Sequence, residues 1–173
     1  QVGRMLDVLK RKGLYENTMV VYTSDHGEYM GYHHLVLKGN HMYDPLVKVP
    51  LIIKYPGGTQ RGTVSDGLVS NIDVAPTILS QTGCACGARM KGLDLARDPQ
   101  GSPIVFCAER NGAYALARSK ARKLILNRAK KDPPFFDLEK APFERVNAYE
   151  DAMYQEEVKQ LNDPILNWRS LDE

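Results

Sequence analysis

Apolar side chains at Val2, Met5, Leu6 and Leu9 repeat at the i, i+3, i+4, i+7 spacing of one helix face. Gly13 stands where such a helix can close in the left-handed conformation. Asn17 and Thr18 turn the chain, and residues 19–23 are then apolar almost throughout and rich in β-branched side chains. That run predicts a short strand covered on both faces. Residues 49–55 repeat the pattern and end at Pro56-Gly57-Gly58. Helix, strand, polar loop and strand predict part of a parallel α/β sheet. Asp73 is placed to cap a helix over Val74–Gln81, with Pro76 in its first turn and Gly83 at its end.

The pattern changes after residues 99–102, which read as a linker. Residues 104–109, 113–118, 123–127 and 135–138 are short β-prone runs separated by turn residues, the signature of an antiparallel meander. Met153, Val158 and Leu161 lie on a final helix, and Asp163-Pro164 reads as an N-cap and N1 pair restarting it through Ile165, Leu166 and Trp168. The expected organisation is an α/β part over residues 1–98, then a small α+β subdomain over 99–173 with an antiparallel sheet and a C-terminal helix.

Composition narrows the function classes. A net charge of +2 with both signs interspersed gives no nucleic-acid-binding stripe. No apolar run approaches the ~20 residues of a membrane-spanning helix. Cys84 and Cys86 are one residue apart, which is not the C-x-x-C of a redox or zinc motif, and with Cys107 they are expected to be small or buried thiols. Gln1 opens what already reads as mid-helix, so a truncated or processed chain is expected.

The chemistry-bearing residues cluster early. Thr23-Ser24-Asp25-His26-Gly27-Glu28 places a carboxylate beside an imidazole where a buried strand ends, and ligands in α/β sheets bind outside the carboxyl ends of strands. A turn at Gly27 would swing both groups toward one ion; otherwise Asp25 caps the turn and His26 is an exposed loop residue. Two ligands are too few for zinc or calcium, so any others lie elsewhere. The following loop holds His33, His34, Lys38 and His41. There Lys38 is either a fixed cation for an oxyanion or part of a solvated surface.

Taken in order, Thr23-Ser24-Asp25-His26-Gly27-Glu28, Gly31-Tyr32-His33, Lys38-Gly39, Val49-Pro50-Leu51-Ile52-Ile53 and Tyr55-Pro56-Gly57 resemble the sulfatase family of the alkaline phosphatase superfamily. So do Asn71-Ile72-Asp73-Val74-Ala75-Pro76-Thr77-Ile78-Leu79, Lys123-Leu124-Ile125-Leu126-Asn127 and Phe136-Asp137-Leu138-Glu139, with Pro142, Glu144 and Asn147 after them. The resemblance implies part of an alkaline-phosphatase-like parallel sheet. It makes Asp25 and His26 metal ligands and Lys38 a sulfate-contacting lysine. It gives His33 and His41 catalytic roles in the same loop, a general acid among them, and makes Asp73 a helix cap. It further implies a divalent ion, calcium in the family at large, and a sulfate ester or sulfated glycan as substrate. The compartment leans to periplasmic or secreted.

Two departures qualify these implications. Many members carry Asn where this chain has His26, and imidazole suits manganese, magnesium or zinc sites better than calcium. That favours the phosphonate- or phosphodiester-cleaving relatives. The family's first acidic pair and its Cys/Ser-x-Pro-x-Arg segment, the source of the formylglycine nucleophile, are absent from these residues, and Cys84-Ala85-Cys86-Gly87 does not substitute. The chain alone is therefore expected to be inactive, and to pair with itself or with a missing amino-terminal half. The reading from another class is a non-catalytic interaction or structural module.

Overall fold

The computed structural model describes residues 1–109, 113–127 and 133–169. In chain order the elements are α1 (Val2–Arg11), β1 (Val20–Thr23), α2 (Asp44–Val47), β2 (Leu51–Lys54), α3 (Val74–Gln81), β3 (Val105–Glu109), β4 (Tyr114–Arg118), β5 (Arg122–Asn127), β6 (Phe135–Asp137) and α4 (Gln155–Arg169).

Helix α1 ends as its sequence predicts. Gly13 takes φ +68°, its N–H reaches Lys10 O and that of Leu14 reaches Leu9 O, the paired bonds of a left-handed cap. Strands β1 and β2 pair with each other from Val20↔Lys54 to Thr23↔Leu51, and they run antiparallel rather than parallel. A parallel pair needs a crossover element. The intervening chain instead doubles back as a loop whose regular structure is a short 3-10 turn and the four-residue α2. These strands are not covered on both faces: Tyr22 and Ile52 are exposed, and α1 buries no residue.

The densest packing surrounds the four-stranded antiparallel sheet β3-β4-β5-β6, the meander expected from the sequence. Alternation sends Ala115, Ala117, Leu124 and Phe135 to one face, against Tyr154, Val158, Leu161 and Ile165 around α4. The opposite face presents Leu116, Ile125 and Phe136 to Met42. The sheet is thus a septum with a helix on one side and the end of the His-rich loop on the other.

Helix α4 is continuous through Pro164 rather than restarted at Asp163. Leu161 and Ile165 are buried on either side of that proline, and their packing holds the helix through the missing N–H. The side chain of Trp168 lies outside the described residues. Residues 99–102 do not hang free as a linker, since Gly101 bridges Leu68 and the Ser102 N–H reaches Leu68 O. Cys84 and Cys86 are exposed, against expectation, because they follow the turn that ends α3; Cys107 is half-buried, and burial pushes its thiol up.

Leu124→Ala is expected to lower unfolding free energy by about 2–5 kcal/mol, since the side chain is fully buried in the α4-facing core. Tyr22→Ser on the exposed strand pair should change it by less than ~0.5 kcal/mol. Urea titrations of the two variants compare them directly; equal losses would contradict this placement of the core.

Candidate functional site

The Asp25–His26 turn is built by its own side chains. Ser24 Oγ donates to His26 O at 2.6 Å, and the His26 N–H donates to Asp25 Oδ1 at 2.9 Å. Asn71 Nδ2, at the start of the segment leading into α3, donates to Ser24 O at 3.0 Å. Gly27 then pins the turn to α2: its N–H reaches Leu46 O at 2.7 Å, and the Glu28 N–H reaches Pro45 O at 3.1 Å. A Cβ at Gly27 would lie 2.0 Å from Pro45 O, so glycine is needed for the approach of two backbones.

The loop after Glu28 folds back on itself. The Tyr29 N–H bonds Leu37 O and the Gly31 N–H bonds Leu35 O, while Met30, His33, His34 and Leu37 all take positive φ. This return carries Lys38 to His26, where the ammonium donates to Nε2 at 3.1 Å. The other ring nitrogen fixes the tautomer: Nδ1–H donates to Gly27 O at 2.7 Å, leaving a lone pair on Nε2. Asp25 Oδ2 lies 3.7 Å from the same Nε2. The Asp25 side chain is 86% exposed and that of His26 40% exposed. The His26 backbone N–H, and next the His26 ring, hold the Asp25 carboxyl below the usual carboxylate range.

Carboxylate, imidazole lone pair and ammonium therefore share one place. Asp25 carries free lone pairs for a divalent cation, and His26, oriented by the hydrogen bond from its second nitrogen, would join it only once Lys38 leaves the single lone pair on Nε2. They amount to part of a ligand set: among the described residues, no three His, Cys, Asp or Glu groups are arranged to hold a metal.

His33 and His41 are placed differently. The His33 ring stacks on Tyr43 at 4.5 Å and its Nε2 donates to Phe143 O at 3.0 Å. His41 lies parallel to the same tyrosine at 6.1 Å. Among the described residues, no hydrogen bond or ring contact joins either one to Asp25, His26 or Lys38. Asp73 is turned inward: its Oδ2 accepts the Ser70 N–H in a capping box and its Oδ1 accepts the Leu93 N–H.

Sequence reasoning gave no site role to Asn71, which holds the turn through Ser24, or to Asp44, Lys123 and Glu144, which fix α2. Their sequence separations, 47 residues for Asn71–Ser24 and 100 for Asp44–Glu144, leave no local periodic signal.

A family model described as Sulfatase matches residues 1–84. The uncharacterized sulfatase YidJ of Escherichia coli (strain K12) is 32% identical over 178 residues, covering 97% of this chain; the chain spans 35% of that relative's length. A solved structure of a protein in complex with its substrate D-glucosamine-2-N,6-O-disulfate superposes with a TM-score of 0.87 at 25% identity, covering 98% of this chain and 37% of that one. The phosphonate monoester hydrolase of Agrobacterium radiobacter superposes with a TM-score of 0.82 at 25% identity, covering 98% and 38%.

The Asp25 carboxyl is expected to titrate below 3.8 in a carboxyl-detected NMR titration. A depressed native pKa favours the carboxylate, so its contribution is complete above the unfolded value and is lost as pH falls through the native midpoint. His26→Ala should raise that midpoint while leaving it below 3.8, because the main-chain N–H survives. A wild-type midpoint at or above the ordinary value would contradict the turn geometry.

Proposed function

Because this chain belongs to the sulfatase family of the alkaline phosphatase superfamily, we propose that Asp25, His26 and Lys38 form the cation- and anion-binding part of a sulfate ester hydrolase site. The nucleophile then comes from residues outside this sequence, which contains no Cys/Ser-x-Pro-x-Arg segment. One observation carries the reading: Lys38 Nζ lies 3.1 Å from a His26 nitrogen that is itself 3.7 Å from the Asp25 carboxylate, at the end of β1.

In this reading Asp25 and His26 would help hold a divalent ion with ligands from elsewhere, and the chemistry such an ion would supply is Lewis-acid polarisation of the ester. An ion on His26 Nε2 would displace the Lys38 hydrogen bond there and free all three Lys38 N–H donors for sulfate oxygens. A fixed ammonium aimed at developing charge stabilises the transition state more than the ground state. Gly27 O keeps the proton on Nδ1, so His26 presents a lone pair rather than a proton. His33 Nε2 is committed to Phe143 O, whereas His41 is exposed and has no ring hydrogen bond among the described residues. Of His33 and His41, His41 is therefore the one with ring nitrogens free to protonate a leaving oxygen, a role that requires it to leave Tyr43 for the cluster.

A sulfated sugar is the substrate class we favour, by likeness to the protein solved with a disulfated glucosamine. The second reading is a phosphonate monoester hydrolase. It is supported by His26, whose nitrogen ligand suits transition metals better than calcium, and by likeness to the Agrobacterium radiobacter enzyme.

In the intact enzyme Lys38→Ala should lower kcat toward an aryl sulfate by about 10²–10³-fold, the usual effect of deleting one preorganised donor. Steady-state kinetics with paired aryl sulfate and aryl phosphonate substrates test both readings. An unchanged kcat in the variant would remove Lys38 from the reaction, and a larger kcat/KM for the phosphonate would select the second reading. The 173-residue chain assayed by itself is expected to give no turnover.

A further inference from the structure

We propose that Glu144 is a positioning residue for the Asp25–His26–Lys38 cluster, acting with Lys123 through Asp44; this rests on the proposed function only in treating that cluster as the site. Arg118 and Lys123 are cross-strand partners on the sheet face opposite α4. Two like charges directly opposite each other repel. Asp44 is what reconciles them: its Oδ1 accepts from Lys123 Nζ at 2.9 Å and also from Arg118 Nη1. Glu144 completes the arrangement, with Oε1 taking Lys123 Nζ at 2.5 Å and Oε2 taking the Asp44 N–H at 2.8 Å.

The Lys123 and Glu144 side chains are both 0% exposed. A carboxylate and an ammonium so placed hold each other, because removing either leaves an uncompensated buried charge. Burial pushes the Asp44 carboxyl up, yet Lys123 and Arg118 outweigh it and hold that carboxyl below the usual range. Glu144 itself takes φ +52°, a conformation unfavourable for a long side chain and one that aims its carboxylate inward.

The physical link to the site is short. Asp44 opens α2, and the next residues of that helix, Pro45 and Leu46, supply the carbonyls that accept the Glu28 and Gly27 N–H groups. Gly27 O in turn sets the His26 tautomer. Glu144 thus reaches His26 through one hydrogen bond from the Asp44 N–H to its carboxylate, one turn of helix and two main-chain hydrogen bonds. Nothing in this path needs Glu144 to touch substrate.

The test is hydrogen exchange on the intact protein, read residue by residue, with ¹⁵N histidine spectra to report the His26 tautomer. Glu144→Gln should speed exchange at Gly27 and Glu28 by about tenfold or more relative to the β4–β5 amides. It should also shift His26 away from the pure Nδ1–H form. Leu161→Ala, which destabilises the opposite face, should speed exchange uniformly, leaving the Gly27 and Glu28 rates relative to the β4–β5 amides, and the His26 tautomer, as in the wild type. If Glu144→Gln prevents folding, Arg118→Gln removes a single donor from Asp44 and should move the same two amides in the same direction. Unchanged Gly27 and Glu28 exchange with an unchanged His26 tautomer, or a uniform acceleration like that of Leu161→Ala, would overturn the positioning role. Neither readout uses a substrate, so they stand even if the sulfatase reading fails in the kinetic assays.

Discussion

A single carboxylate placed between two like charges organises this molecule. Asp44 sits against Arg118 and Lys123, neighbours across β4 and β5 that would otherwise repel, and Glu144 closes the group from the segment after β6. The arrangement is stable only when complete, since each buried charge depends on its counter-charge and on hydrogen bonds for its remaining valences. Its effect is to fasten the end of the His-rich loop to one face of the four-stranded sheet. Met42 adds an apolar contact with Leu116, Ile125 and Phe136 on that same face.

The site follows from that attachment. Helix α2 is too short to hold its own position by helix propensity. Once fixed by Asp44 at its start, it offers two carbonyls to the Gly27-Glu28 turn, and the absence of a side chain on Gly27 lets the backbones meet. The turn presents Asp25 and His26 together, and the folded-back loop returns Lys38 to them. His33 and His41 belong to a different environment, the Tyr43 ring. The four histidines are thus separated: His26 faces the cluster, His33 and His41 pack on Tyr43, and His34 is exposed.

The cation- and anion-binding roles proposed for Asp25, His26 and Lys38 suit the chemistry of the family to which the chain belongs. Sulfate esters need charge neutralised on several oxygens at once, and in that proposal a metal-ligand pair next to an ammonium would provide both kinds of interaction in one small volume. The exposed apolar side chains of α1, β1 and β2 describe how these elements sit in this chain: the strong core lies with the C-terminal sheet, while the elements leading to Asp25 are thinly covered.

Much of this was legible in the residues themselves. The Gly13 cap, the α3 boundaries, the meander of short strands and the Asp25-His26 motif are local, and local periodicity and turn chemistry report them. Resemblance in motif order gave the family. The direction of β2 relative to β1 was not legible, because a strand's sequence does not encode which way its neighbour runs. Pro164 read as a helix start, since the packing of Leu161 and Ile165 that carries the helix across it is a tertiary fact. Tertiary structure alone decided that Lys38 meets His26, that His33 and His41 go to Tyr43, and that Glu144 and Asp44 meet across 100 positions. Buried charges are written in sequence exactly as exposed ones are, and only the folded chain assigns each its counter-charge.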